Sequence, residues 1–225
     1  DKTELLSREE LVRSFSLKRV SRTGAIFNRD KLAWMNGVYI RSLTLEDFTQ
    51  RALPFLESGL SPGVKRPLSI DYARQIMPLI QERAKTLAEV AELVEFFFID
   101  ELDYDPKLLI GKNMSQDSTI KALETAKQKL GKLVVLQESA TMVLEGEQQK
   151  LGQLEAFDAE VLEAVLRPLA VELGLKTGQL FGALRVATTG RTAAPPLFQT
   201  MAVLGKERCL RRIEEALTRL HKMQK

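Results

Sequence analysis

The chain has 225 residues, 44% of them apolar, enough to bury a core and to form one large domain or two small ones. One cysteine and one histidine exclude an internal disulfide and a multi-thiolate zinc site, and a net charge of only +3 argues against a simple polycation. No run approaches the roughly eighteen consecutive apolar residues that a membrane span requires.

The start, DKTELLSREELVRSF, lacks a basic-then-apolar signal pattern and an initiator Met, so the sequence reads as a piece of something longer. Ser7 and Glu10 have capping-box spacing ahead of Leu11, Val12 and Phe15, which predicts a helix. In NRDKLAWMNGVYIRSL, Leu32, Met35, Val38 and Tyr39 recur at helical spacing, with Trp34 beside them and Lys31 and Arg41 flanking the stripe. Thr44 can cap a further helix through Leu45, Phe48 and Ala52, and ESGLSPGVKRPLS is a loop by its Gly and Pro content. Helices are then predicted from Ile70 to Gln81, Leu87 to about Phe98, Ser115 to Leu130, and Gly131 to about Gly146. Asp158 to Leu173 carries the stripe Val161, Leu162, Val165, Leu166, Leu169, and Thr177 caps a helix ending near Gly190. There Gly190 permits positive φ, Pro195 suits the start of the next helix, and that helix's free amides can face an anion. With no alternating strand and no repeat, the reading is all-α. Breaks at SGLSPGVKRP, DYDPK and EGEQQKLGQ divide it into elongated small bundles.

Chemistry is harder to place. Any Ser/His/Asp or Cys/His site would need His221, which lies in a basic C-terminal segment and reads as an exposed tail residue. Cys209 reads as a small residue on a helix, compatible with a reducing cytoplasm. The pairs Glu9/Glu10 and Glu214/Glu215 point to different helix faces, and no phosphate-cradling glycine loop is present. Phe96 to Phe98 close a helix into the core. Catalytic, cofactor and metal residues are therefore absent from this reading. Binding is the better class, because charge is uneven: Lys206 to Lys225 holds seven Lys/Arg against three Glu, whereas Glu95 to Asp105 holds five acids and no base. Arg83 sits near a helix junction at Thr86, where its planar fork can meet a base edge or phosphate. The same spacing allows a surface ion pair with Glu82 or Glu89. Arg185, Arg191, Arg208, Arg211 and Arg212 surround two tight corners, with Arg208 and Arg212 reading as structural ion-pair partners.

AIFNRDKLAWMNGVYIRSL resembles the helix after the catalytic half of bacterial glutamyl-tRNA synthetases, where Phe-Asp/Asn-x-x-Lys-Leu-x-Trp-x-Asn recurs. KTGQLFGALRVATTGRTAAPPLFQTMAVLGKERCLRRIEEAL resembles that family's C-terminal signature, and LDYDPKLL and ERAKTLAEVAELVEFFF are similar to it too. The resemblance implies the tRNA-binding half: the end of a stem-contact domain (1–43) and a two-part helical anticodon-binding domain (44–105 and 106–225). It further implies that Arg83 reads the third anticodon base and that Arg185 contacts the anticodon loop. Pro195 and Leu197 would form the surface against which bases pack, with Arg191 in the same loop and Lys31 and Arg41 beside the inner side of the tRNA. Two positions depart from the pattern: Ala194 replaces a polar Thr, and Gly182 replaces a Gln found in some members. ATP and magnesium would belong to the parent's N-terminal catalytic domain, since neither a His-x-Gly-His element nor a Lys-Met-Ser-Lys-Ser-type loop is present; KNMSQDS is not the latter. The implied partners are tRNA(Glu) and that catalytic domain, in a monomer of the cytoplasm with no membrane contact. Two alternatives remain at this point, a helical protein-interaction module that never touches RNA and a non-discriminating glutamyl- or glutaminyl-type module.

Overall fold

A computed structural model describes residues 5–20, 24, 26–133 and 157–223. The predicted helix from Gly131 to Gly146 and the break at EGEQQKLGQ lie almost wholly outside them. The described residues form α-helices and short 3₁₀ turns, with no strand among them.

Most helices start where a side chain satisfies a free amide. Ser7 and Glu10 close a reciprocal capping box, at 3.2 and 2.7 Å, in front of α1 (Arg8–Ser14). Asn28, Thr44, Ser69 and Ser115 cap α2 (Arg29–Ser42), α3 (Leu45–Gly59), α4 (Ile70–Ile80) and α6 (Gln116–Gly131). Asp158 caps α7 (Ala159–Glu172).

Three starts differ from expectation, each for a local reason. α5 (Val90–Phe98) begins three residues after Leu87. The Thr86 hydroxyl donates to the Glu89 carboxylate and accepts the Glu89 backbone N–H, and that carboxylate also accepts the Lys85 amide, which holds 85–89 as a turn. In α8 (Thr177–Thr189) the cap is Lys176 rather than Thr177. Gln179 sets this start, accepting the Lys176 N–H at 2.9 Å and donating to the carbonyls of Lys112 and Asn113. α9 (Leu197–Leu204) starts two residues after Pro195, with Pro196 at its N-cap. Pro196 forces Pro195 into extended backbone, so the helix cannot begin earlier. Gly190 ends α8 at φ 72°, where an added Cβ would lie 3.2 Å from the Tyr104 ring, so both conformation and space favour glycine.

α3, α4 and α5 pack on one another, as do α6, α7, α8 and α10 (Lys206–Met223), while α9 touches α4, α7, α8 and α10. A 3₁₀ turn at Pro106–Leu109 lies against α8 and α10. One continuous core runs through both groups, including Phe48, Leu56, Met77, Phe97, Leu123, Leu166, Leu184 and Ile213. Each such side chain contributes about 1.5–3 kcal/mol when fully buried. Phe96 and Phe97 join it as expected. α2 behaves differently. Its buried positions are Gly37 and Ile40, whereas Leu32, Trp34 and Tyr39 are 44–51% exposed. Of the apolar stripe read from the sequence, Leu32 and Tyr39 are therefore exposed, while Met35 and Val38 are half-buried.

Candidate nucleic-acid interface

The corner between α4 and α5 is built from the inside outward. Ala84 is fully buried and its amide, like that of Arg83, donates to the Ile80 carbonyl. Gln81 reaches back with its Nε2 to the carbonyls of Ile40 (3.0 Å) and Leu43 (2.9 Å), tying the end of α2 to the same corner. With Ala84 pointing in, Arg83 is left exposed. The ion-pair alternative for Arg83 does not hold: no side-chain partner for it exists among the described residues, and Glu89 serves Lys85 and Thr86 instead.

Arg185 stands one turn before the end of α8 and is half-buried. Its Nε is buried without a hydrogen-bond partner, a state that costs about 1–3 kcal/mol. Burial lowers its pKa, and the nearby Arg83 charge lowers it further. Two cations from different helix groups thus lie close enough for the charge of one to act on the other, and neither has an ion-pair partner among the described residues. One turn before Arg185, Gly182 leaves open space: an added Cβ would meet nothing within 4 Å.

Arg41 extends the basic surface. It lines a cleft with Asp30, Trp34, Gly37 and Lys85, between α2 and the corner. Arg41, Lys85, Arg83 and Arg185 therefore follow one another across three elements. Lys85 was not singled out in the sequence, although it lies only two residues from Arg83. Lys31 is exposed in the first turn of α2 and lines no part of that cleft.

The α8–α9 loop is used differently from the sequence expectation. Arg191 donates from one NH to the Glu92 carbonyl at 2.7 Å and lies 5.9 Å from the Phe96 ring centroid, holding the loop on α5. Pro195 and Leu197 are both buried, Leu197 to 5% exposure, so their side chains face the protein. Pro196, overlooked because Pro195 fitted a helix start, is the ring that faces solvent. Ala194 is half-buried beside it.

Arg208 and Arg212 are structural as expected, but their partners are carbonyls rather than acids. Arg212 is 1% exposed and donates to Thr188 (2.6 Å), Phe96 (2.7 Å) and Ile99 (2.7 Å). Arg208 donates to the Phe97 carbonyl at 2.6 Å and the Tyr72 hydroxyl at 3.3 Å. Of Arg208, Arg211 and Arg212, Arg211 alone makes ion pairs among the described residues, with Asp100 at 3.2 Å and Glu215 at 4.0 Å. Burial pushes Arg212 down to about 10, which leaves it charged at neutral pH. No cluster of His, Cys, Asp or Glu suited to a metal ion occurs among the described residues.

A family model described as an anticodon binding domain matches residues 47–217. The chain belongs to this anticodon-binding domain family. The match spans α3 to α10, and so takes in Arg83, Arg185 and the α8–α9 loop. The chain is 48% identical over 223 residues to a glutamate–tRNA ligase of Dehalococcoides mccartyi, covering 99% of this chain and 42% of that protein. It is also 48% identical over 217 residues to a glutamate–tRNA ligase of Roseiflexus castenholzii, covering 96% of this chain and 39% of that one. The chain thus spans about two fifths of these relatives. In fold it matches a crystal structure of a glutamate–tRNA ligase from Elizabethkingia meningosepticum with a TM-score of 0.72 at 22% identity, covering 96% of this chain and 37% of that one. The helical arrangement is therefore that of a known fold.

Proposed function

We propose that this chain is the tRNA-reading portion of a glutamate–tRNA ligase, with Arg83 and Arg185 presented to the anticodon of tRNA(Glu). The observation that carries this is the pairing of two cations without a counter-charge, one with an unsatisfied buried Nε, inside an anticodon-binding domain. A guanidinium fork suits a base edge or phosphate, and splayed single-stranded bases are the RNA groups that side chains reach most readily. Arg83 discriminates at the third anticodon base, Arg185 holds the loop, and Pro196 supplies the exposed apolar surface beside them. Arg41, Lys85 and Lys31 take phosphates.

In this reading residues 1–43 end a stem-contact domain, with anticodon-binding parts at 44–105 and 106–225. The exposed Leu32, Trp34 and Tyr39 receive the catalytic domain of the same polypeptide, which handles ATP and magnesium. The whole works as a cytoplasmic monomer. No described helix is long and apolar enough to cross a membrane. Competition binding between glutamate tRNAs differing only at the third anticodon base, at one fixed salt concentration, tests the proposal. Preference for cytosine with steep salt dependence is expected. Salt-insensitive binding without base preference would refute it. Alone, the chain should not catalyse glutamate-dependent ATP–pyrophosphate exchange.

A further inference from the structure

The two arginines proposed to read bases come from different helix groups, so something must fix their separation. Arg83 lies in the corner that leads into α5, and Arg185 lies one turn before the end of α8. A single side chain bonds to both helices. Arg212 donates one NH to Thr188, three residues after Arg185, and the other to Phe96 and Ile99 at the end of α5. Arg208, one turn earlier on α10, holds the intervening Phe97 carbonyl and the Tyr72 hydroxyl of α4. The acceptors are the carbonyls left over at helix ends, which attract a cation through both hydrogen bonding and the helix dipole.

A buried guanidinium is an expensive way to fill such a space. Its Nε has no hydrogen-bond partner among the described residues, and taking a charge out of water costs several kcal/mol before its bonds repay any of it. What the guanidinium adds is direction, because its planar fork sets the angle between the elements it joins.

We infer that Arg212, supported by Arg208, is a positioning residue for base reading: by tying the ends of α5 and α8 to α10 it sets the distance between Arg83 and Arg185. This rests on the base-reading role proposed above.

The test has one arm without RNA. Spin labels are placed at Glu82→Cys in the corner and Gly178→Cys on α8, where an added side chain has open space. Buried Cys209, with its thiol pushed up to about 12, does not compete for the label. Arg212→Lys keeps the charge but loses the fork. In a variant that still melts cooperatively, the distance distribution should shift or broaden. Selectivity for the third anticodon base should then fall about tenfold, a discrimination within the range of one bidentate contact. Cognate affinity should fall less, and the loss should vanish in an Arg83→Gln background. A merely structural role would weaken all tRNAs alike and act additively with Arg83→Gln.

If Arg212→Lys does not fold, Arg208→Lys carries the same measurements at a half-buried position. An unchanged distance distribution in a folded variant overturns the inference, as does a changed distance with full selectivity. Absence of base selectivity in the unaltered chain would count against the proposed function alone, and the distance measurement would still decide whether Arg212 spaces the two helices.

Discussion

The two ends of α5 use arginine in opposite ways. At the C-terminal end, Arg208 and Arg212 are closed in by the carbonyls of Phe96, Phe97 and Ile99. In the corner before its N-terminal end, Arg83 has no partner among the described residues, and neither has the buried Nε of its near neighbour Arg185. The local counts of basic residues do not separate the two. Occupancy of the N–H groups does. A helix C-terminus leaves carbonyls that draw in guanidinium groups, whereas two cations left facing each other mark where an outside anion lowers the energy. Arg191, with one NH on Glu92, falls on the structural side of this division.

The largest test addresses the occupied end. We predict that Arg212→Met, which keeps bulk but removes the donors, destabilises the fold by about 3 kcal/mol, because buried carbonyls left unpaired cost about 1–3 kcal/mol each and only some find new donors. Urea denaturation measures this. A loss below about 1 kcal/mol would show that water or neighbouring amides satisfy those carbonyls equally well, and the division would lose its structural half.

The open end should respond in specificity rather than stability. Arg83→Gln is expected to cost about 1–3 kcal/mol of discrimination for C over G at the third anticodon position, roughly ten- to a hundredfold. Its melting temperature should hardly move, since the side chain is exposed and has no partner among the described residues. Unchanged selectivity in competition binding would transfer the reading role to Arg185 and its loop.

How dry the occupied end is can be read from Cys209, which lies between Arg208 and Arg212 on α10. Burial pushes its thiol up to about 12 from a usual value of 9.0. The folded chain then keeps a proton that the unfolded chain releases. This contribution is complete below pH 9 and is lost as pH rises towards 12. Over that window the unaltered chain should lose stability more steeply than Cys209→Ala, by up to about 1.4 kcal/mol per pH unit. Burial also raises Tyr72 and Tyr104, so the difference between the two proteins, not the slope of either, is the measurement. Equal slopes would mean that water reaches the thiol and the arginines beside it.

Sequence periodicity was sufficient for what depends on local pattern. The all-α class, the caps at Ser7 and Thr44, and the burial of Phe96 and Phe97 were all legible. The starts of α5, α8 and α9 were not: those of α5 and α8 depend on side chains of Glu89 and Gln179 taking backbone amides, and that of α9 on Pro196 holding Pro195 extended. The same limit applies to the arginines. Nothing in LGKERCLRRI separates Arg212, enclosed by three carbonyls, from Arg211, which meets Asp100 at the surface. Those carbonyls belong to residues 24 to 116 positions away and become acceptors only once α5, α8 and α10 have packed. Pro195 and Leu197 show the converse: both lie in the expected loop, but chain position alone does not reveal that their side chains face inward. Gln81 went unnoticed because an exposed-looking polar residue at a helix end gives no sign that it ties down another helix.

The smallest predicted effect asks whether open arginines contact RNA wherever they occur, or only at the corner. Arg41 on α2 has no ion-pair or hydrogen-bond partner among the described residues, and it shares a cleft with Trp34 and Lys85. Arg74 on α4 is comparably exposed but paired with Glu46 and Asp71, both at 3.1 Å. Exposed pairs of this kind contribute only about 0–1 kcal/mol, so neither substitution should disturb the fold. Arg41→Gln should weaken all glutamate tRNAs alike, because phosphate contacts position the nucleic acid without reading it. It should also lower the slope of log affinity against log salt by about one, as expected for one lost phosphate contact. Arg74→Gln should leave both affinity and slope where they were. If the two variants behave alike, an arginine's unoccupied donors do not predict RNA contact outside the Arg83–Arg185 corner. If Arg41→Gln instead alters discrimination between anticodons more than overall affinity, the cleft on α2 belongs to base reading and not to the phosphate path.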